Sequence, residues 1–542
     1  MSRAKKAKAL DARFAVIDLE ALNWNEYRVG YFVDSDGADV RCDTAEQLSA
    51  QVENFPGRVF AHYGGRYDVF FLNEPKAVTM SGSGILRAQL GSASLYDSWY
   101  LFQMSLAKLG KAVGHAKHEG KSDRIEELSL DETAEHCRND CEVLRVALLK
   151  HREWCRTRPH PEPRWPATAG GTAVYCLEAF EPEGVATLRA ERVELSDWQH
   201  QFGAVTGGRV ELWQLGHVKG PVYSYDIRSS YPASWLDGPL PLGPWRRVDA
   251  EVSDAAGVYL CDVKQSRDTL PVVAPEHVWK YDGPAWLTHE EISEVRAHGG
   301  RVDVVDGWVS HSGPVAFGQD FAREMYRAKA AGDPWAKVSI NSAHGKFGQG
   351  ILQTNWVKRS GRWECDYELG FPAWHQRPLI SAYVLSRARI RLHRTLHALK
   401  QGGWRCLYVD TDCVHTDCPP ERFPGQLGDE LGQWAHEATA EEAVYVAPKV
   451  YMLKLVGGGV KMAAKGLPRD QVTWEALVDV ARGNPVSFTN DKGLVGFRRL
   501  GGTWEARRSK QPRRLVTQTG GKKYVVGQLG FTGQLSYPDE HE

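Results

Sequence analysis

Apolar positions in the first part of the chain fall in short, dense runs. Phe14–Ile17, Tyr27–Val33 and Arg58–Ala61 read as strands. From about Leu130 the apolar spacing becomes helical, with acids at its start, and predicts a helix to about Trp154. "RPHPEPRWP" at Arg158–Pro166 is proline-rich and reads as a linker. Beyond it the pattern predicts another helix, a turn at "TGGR" (Thr206–Arg209) and a β-rich portion that includes Val222–Asp226. Helices follow around Phe317–Lys346 and Leu379–Leu399, separated by a hairpin (Trp356–Val357, then Trp363–Tyr367). The chain shows no repeat, no low-complexity tract and no GxxxxGK[ST] loop, and "GSG" at Gly82–Gly84 lacks the third glycine of a dinucleotide fingerprint.

Length and composition narrow the class. The 542 residues are enough for several domains, about three or four by length alone. No apolar run approaches the ~18 residues of a membrane span. The basic start, "MSRAKKAKALDARF", is not followed by a signal-type apolar stretch. Ten cysteines are scattered without a CxxC pair. That is the usage of a reduced, cytoplasmic protein, with no disulfide framework or zinc finger. A net charge of −1 is not the bulk signature of a nucleic-acid binder. Asp491–Lys523, however, holds ten Lys/Arg against two acids, a pattern suited to phosphate contact or to a solvated basic face.

The candidate chemistry begins at "YVDTDC". Asp410 and Asp412 are two apart at the end of a strand-like run, and on a strand such residues share a face. Side-by-side carboxylates repel unless a cation or hydrogen bonds compensate, so the pair reads either as a solvated turn or as metal ligands. Asp226, ending "VYSYD", offers a third carboxylate. Mg²⁺ commonly takes one or two carboxylates plus substrate phosphates. In "KVSINSAHGKFG", Lys337, Asn341 and His344 lie at i, i+4 and i+7, on one helix face. A lysine there suits a phosphate.

"DIRSSYP", "KVSINSAHG" and "YVDTDC", in this order, resemble the palm and fingers motifs of family B DNA polymerases. "LGQWAHE" (Leu431–Glu437) and "KVY" (Lys449–Tyr451) resemble the protein-primed subgroup of phages and linear plasmids. The resemblance runs from about Phe14 to Tyr524. It implies that Asp226, with the Ile227 backbone carbonyl, and Asp412 hold two Mg²⁺ ions (Mn²⁺ as substitute), with Asp410 beside them. It further implies that Tyr231 packs under the incoming sugar and that Lys337 binds the triphosphate, helped by Arg327 or Lys329. Asn341 and His344 would line the nucleotide pocket, and Lys449 and Tyr451 would meet DNA. His344 stands where the family usually has tyrosine, Ser230 where leucine is common, and Cys413 where serine is usual.

A second acidic set lies upstream. "VIDLEA" supplies Asp18 and Glu20, "AHYGGRYD" supplies Asp68, and "HCRND" supplies Asp140. Four carboxylates from three segments suit a two-metal hydrolytic site. Together they resemble the 3′–5′ exonuclease motifs of the same polymerases, with Asp18, Glu20 and Asp140 as metal ligands. His136 stands in place of the usual tyrosine, Tyr63 in place of asparagine, and Lys121 matches the auxiliary lysine. Ser105 and Leu106 in "MSLAKLG", with His62, resemble a motif for single-stranded DNA and the priming protein. Gly207 and Gly208 resemble the template-contacting loop between the two activities, with Val205 replacing its tyrosine.

The implied fold is α/β multidomain: a ribonuclease H-like exonuclease followed by a right-hand polymerase. Residues 1–185 would form the exonuclease, 186–249 and 378–470 the palm, 319–349 the fingers, and 471–542 the thumb with its basic segment. Residues 250–318 and 350–377 resemble the family's insertions, the first contacting terminal protein and the second supporting processivity and strand displacement. The expected partners are DNA template and primer, deoxynucleotides, a terminal protein and a single-stranded DNA-binding protein, with no membrane. A nucleic-acid-primed or primer-independent polymerase is the main alternative. A reverse transcriptase would have adjacent aspartates in the third motif and no exonuclease set. A nuclease with a degenerate polymerase half would have lost Asp226 or Asp412, and a DNA-binding scaffold has no use for seven acids in two metal-site patterns.

Overall fold

The computed structural model describes residues 12–517 other than 24–25, 82–83, 119–124, 253–254, 276–279, 370–371, 496–503 and 505–506. Its N-terminal sheet is built around the strand Phe14–Leu22, which pairs parallel with Arg58–Ala61 and antiparallel with Glu26–Asp34. The strand alternates between two cores. Phe14 and Val16 pack in the cluster of Leu144 and Leu148 from the helix Leu130–Arg156, while Ala15 and Ile17 pack with Leu48 and Val52 of Ala45–Asn54. Both faces are covered, so the run is apolar throughout. The long helix starts where Ser129 and Glu132 cap each other's backbone N–H groups.

The sheet has nine strands, and the two at one edge come from far along the chain. The hairpin Leu352–Arg359/Arg362–Leu369 pairs antiparallel with Ala77–Ser81 through Asn355↔Thr79 and Val357↔Ala77. The Thr79 hydroxyl donates to Asn355 at 2.9 Å, and the Trp363 indole donates to Glu74 at 2.6 Å. The hairpin is longer than its sequence pattern predicts, and it covers an edge that would otherwise expose unpaired backbone.

Arg158–Pro166 is not a loose linker. Trp165 is buried, and its indole donates to His151 at 3.1 Å. His160 is buried against Glu178 at 2.8 Å. The prolines set an extended path, and aromatic burial holds that path to the body.

The central sheet has seven antiparallel strands, in the order Val460–Ala464, Val450–Leu455, Trp434–Ala447, Gly216–Ile227, Cys413–Thr416, Cys406–Asp410, Val210–Leu212. The helix Pro378–Gln401 backs it, with Leu392, Leu396 and Leu399 packed among Ile227, Val409 and Val414. The helices Gln319–Ala330 and Pro334–Phe347 form an adjoining pair. Near the C-terminus, Val486–Val495 and Arg507–Leu515 form a hairpin bearing Lys492, Arg507, Arg508, Lys510, Arg513 and Arg514. Arg498, Arg499, Lys522 and Lys523 lie outside the described residues. Among the described residues, no helix is long and apolar enough to cross a membrane.

Between the two runs of the central sheet stands a four-stranded antiparallel sheet (Trp245–Val248, Gly257–Lys264, Asp282–Thr288, Arg301–Ser310) with the helix His289–Ala297. That helix lies along Pro378–Gln401 through a ladder of ion pairs. Glu290 meets Arg387, Glu291 meets Arg389 at 2.8 Å, and Glu294 meets Arg394. Arg389 and Glu291 are both buried, and Arg389 also donates to the Thr206 and Gly207 carbonyls. Removing one partner of such a buried pair strands the other charge, at a cost of about 3–5 kcal/mol. Arg389→Ala is therefore expected to lower the urea midpoint clearly, and Arg389→Lys to recover only part of the loss. An unchanged midpoint for Arg389→Ala would show that the ladder carries no such weight.

Candidate active sites

At the first site, parity explains the arrangement. Asp18 and Glu20 continue the face set by Phe14 and Val16, and so look toward Leu130–Arg156, where His136 and Asp140 stand. Candidate ligand atoms of Glu20, His136 and Asp140 lie within 4.8 Å of one another, and His136 Nδ1 is 3.5 Å from Glu20. Asp68 enters from the turn after Arg58–Ala61 and is buried. Burial, with repulsion from Asp140, Glu20 and Asp68, pushes the Asp18 carboxyl far up. Burial, with Asp97 and Glu20, pushes Asp68 up to about 8. Asp18 Oδ2, Asp68 Oδ1, Asp140 Oδ1 and both His136 ring nitrogens are buried without a hydrogen-bond partner. Unsatisfied oxygens on crowded acids are what a hard divalent cation would fill.

Lys117 donates to Asp140 at 2.5 Å and also acts on Asp18 and Glu20. Sequence reading missed this lysine. The family resemblance points to Lys121, which lies outside the described residues, as does Arg124. Tyr63 adopts a left-handed backbone (φ 61°), remains 38% exposed, and sets its ring 5.0 Å from His62 and 5.9 Å from Trp99. His62 itself is committed inward, with one ring nitrogen 3.0 Å from the Ser98 hydroxyl and the other 3.0 Å from the Met104 carbonyl. Ser105 caps the helix Leu106–Val113 by accepting from the Lys108 N–H.

At the second site, Asp226 is the penultimate residue of the strand Gly216–Ile227 and pairs in register with Cys413. Asp410 ends its own strand, but Asp412 lies in the turn. The same-face expectation therefore fails for this pair. Thr411 takes a left-handed φ of 62° and turns the chain between the two acids. Asp410 is instead held by Lys449, whose Nζ reaches both oxygens at 2.6 Å, and by the Tyr408 hydroxyl at 3.0 Å. Asp412 lies one residue before Cys413, the register partner of Asp226, and its charge acts on Asp226. Burial and Asp412 push Asp226 up to about 7, while burial and Asp410 push Asp412 up to about 6. The Ile227 N–H donates to the Asp412 carbonyl at 2.7 Å, which locks the two strands together. Glu437 adds negative charge to both acids while pairing with Lys461. It ends the stretch Leu431–Glu437, whose local sequence does not mark it as acting on either aspartate.

Around these acids the structure gathers cations. Lys329 donates to the Ser229 hydroxyl at 2.7 Å. Its ammonium is lowered by burial and then by Lys337 and Arg228, with Asp226 opposing. Arg327 is outside this group, exposed and ion-paired to Glu324 on its own helix. Lys337 and Asn341 share the open face of Pro334–Phe347, whereas Ile340, Ala343 and Phe347 are buried. His344 packs its ring 4.1 Å from Tyr231, and burial lowers it to about 4. A Cβ at Gly208 would stand 2.9–3.0 Å from Thr411 and the Tyr231 hydroxyl, so the glycine permits that approach, while one at Gly207 would meet nothing within 4 Å. Tyr451 packs its ring among Tyr408, His415 and Tyr445 and is largely buried.

No family model matches the chain. The DNA-directed DNA polymerase of Enterobacteria phage PRD1 is 25% identical over 499 residues, covering 80% of this chain and 85% of that protein. The DNA polymerase of Streptococcus phage Cp-1 is 23% identical over 300 residues, covering 47% of this chain and 51% of that protein. The chain is a homologue of phage DNA polymerases. Phi29 DNA polymerase bound to primer-template DNA superposes with a TM-score of 0.73 at 16% identity, covering 93% of this chain and 100% of that one. The phi29 complex with primer-template DNA and incoming nucleotides gives 0.73 at 15% identity with the same coverage. The fold is thus like that of phi29 DNA polymerase, a mixed α/β multidomain arrangement.

The raised carboxyls set a pH dependence. A carboxyl whose folded value lies above its unfolded value contributes stability that is present below the unfolded value and lost as pH rises through the folded one. For Asp412, Asp226 and Asp68 that window runs from the ordinary carboxyl range up to about 6, 7 and 8. With a chelator present, the melting temperature is expected to fall across this window, Mg²⁺ to restore it, and Asp68→Asn to flatten the fall. Identical melting curves for wild type and Asp68→Asn at both ends of the window would contradict the repulsion.

Proposed function

We propose that this DNA-directed DNA polymerase extends a primer 3′-hydroxyl at Asp226 and Asp412 and trims single-stranded 3′ ends at Asp18, Glu20, Asp68 and Asp140. The observation that carries this reading is the adjacency of Asp226 and Asp412 across neighbouring strands, beside Lys329, Lys337 and Arg228. Asp226, the Ile227 carbonyl and Asp412 would hold two Mg²⁺ ions, as would Asp18, Glu20 and Asp140. When bound, the ions lower the pKa of the attacking hydroxyl or water and neutralise charge on the transferring phosphate.

The chain's own groups do the positioning. Lys329 and Lys337 meet the triphosphate as point charges, so pyrophosphate leaves into a cationic surface. Tyr231, held between His344 and Gly208, forms the floor under the sugar, where a ring opposes a 2′-hydroxyl. Asn341 lines the base side. Lys449 orients Asp410 and stands ready for the primer backbone. At the exonuclease site Lys117 holds Asp140, His136 offers a ring nitrogen to the attacking water, and the exposed Tyr63 supplies a stacking face where the family has asparagine.

Initiation from the hydroxyl of a terminal protein is supported by the phage homologues and by the insertion docked along Pro378–Gln401. The reading extends to a single-stranded DNA-binding protein as accessory partner and to the cytoplasm of a bacterial host. Attachment of labelled deoxynucleotide to a partner polypeptide is the expected outcome. Labelling confined to nucleic-acid primers would favour the nucleic-acid-primed alternative.

The two activities are expected to separate. Asp226→Asn or Asp412→Asn should lower Mg²⁺-dependent primer extension by about 10²-fold or more and leave 3′ trimming in place. Asp140→Ala should do the reverse. Loss of both activities in a folded single-site variant would sink the assignment to separate sites.

A further inference from the structure

The ion-pair ladder between His289–Ala297 and Pro378–Gln401 ends in a different kind of contact. One turn past Glu294–Arg394, His298 from the insertion meets His393 and His397, which are four apart and on one face of the palm helix. The rings are close: 4.9 Å between His298 and His393, 4.7 Å between His298 and His397, and 6.1 Å between His393 and His397. One candidate ligand nitrogen from each of the three lies within 4.8 Å of the others.

Ordinary packing does not account for this group. His393 is fully buried, and neither of its ring nitrogens has a hydrogen-bond partner. His397 Nδ1 is also buried without one. Leaving such atoms unsatisfied costs about 1–3 kcal/mol each. His298 differs in an informative way. Its Nδ1 lies 2.9 Å from the Glu294 carbonyl, which can only accept, so Nδ1 carries the proton and Nε2 keeps its lone pair. A hydrogen bond of this kind is what orients a metal-ligating imidazole. The nearby cations are already engaged, Arg394 with Glu294 and Arg209 with Glu211.

We propose that His298, His393 and His397 form a transition-metal site, of the kind Zn²⁺ occupies, that pins the insertion to the palm helix. Imidazole nitrogens suit zinc and not Mg²⁺, so this all-histidine site differs from the carboxylate sites, where His136 is joined by Glu20 and Asp140. Tetrahedral coordination at about 2.0–2.1 Å sets donors about 3.3 Å apart. The rings must therefore draw inward, by rotation of the half-buried His298 and His397 and not of the fully buried His393. Three protein nitrogens leave a fourth position for water, since the Glu294 carboxylate is engaged by Arg394.

The test uses the untagged full chain, equilibrated with Zn²⁺ in excess Mg²⁺ so that the oxygen-lined sites are filled, and then dialysed. Elemental analysis is expected to find about one zinc per chain, with a thermal shift upward. His397→Gln and His298→Gln, both outside the deepest core, should each bring zinc to near zero while keeping the wild-type circular dichroism. Co²⁺ should give the strong visible absorption of a four-coordinate site in wild type, lost in both variants. Zinc near zero in the wild type, or wild-type zinc and Co²⁺ spectra in both variants, would overturn the proposal.

Discussion

Electrostatic repulsion among carboxylates held out of water is the constraint on which the two active regions depend. At each site the acids come from separate elements: a strand, a turn and a helix in the first, and a strand end and a hairpin turn in the second. None of these placements is stable for a charged group by itself, and the raised carboxyls of Asp18, Asp68, Asp226 and Asp412 record the cost. The fold meets that cost with hydrophobic burial elsewhere. The cluster of Phe14, Leu144 and Leu148 clamps the first site, and Ile227, Val409 and Val414 against Leu392 and Leu396 clamp the second. Such preorganised acids bind a cation strongly because the unfavourable arrangement already exists before the cation arrives.

The two sites are also mechanically connected. The Trp154 indole, near the end of the long N-terminal helix, donates at 2.5 Å to Asp333, which caps Pro334–Phe347. Arg389 joins the insertion's Glu291 to the Thr206–Gly207 loop, and the next residues of that loop reach Thr411 and Tyr231. The hairpin at Leu352–Leu369 comes from the second half of the chain and completes the N-terminal sheet that carries Asp18 and Glu20.

Much of this was legible in sequence because it is local. Strand parity puts Asp18 and Glu20 on one face, and helical spacing puts Lys337, Asn341 and His344 together. The same parity rule misled at Asp410 and Asp412, because a left-handed Thr411 ends the strand between them. Long-range pairing was invisible for the same physical reason that a sheet edge is invisible: nothing near Trp356 encodes that Val78 will be its neighbour. Arg158–Pro166 looked like a linker because proline spacing is local, whereas the burial of Trp165 depends on Phe14 and Phe60. Lys117 and Glu437 were missed because a lysine or a glutamate acquires its meaning only from the carboxylates that the fold brings beside it.

The central claim is that each carboxylate cluster is a divalent-cation site made competent by that repulsion. Anomalous diffraction from crystals soaked in Mn²⁺ tests it most directly. The account predicts separate peaks between Asp226 and Asp412 and among Asp18, Glu20 and Asp140, with Asp410 still on Lys449. Peaks absent from the Asp226–Asp412 pair, or a single ion bound between Asp410 and Asp412 with Lys449 displaced, would contradict it.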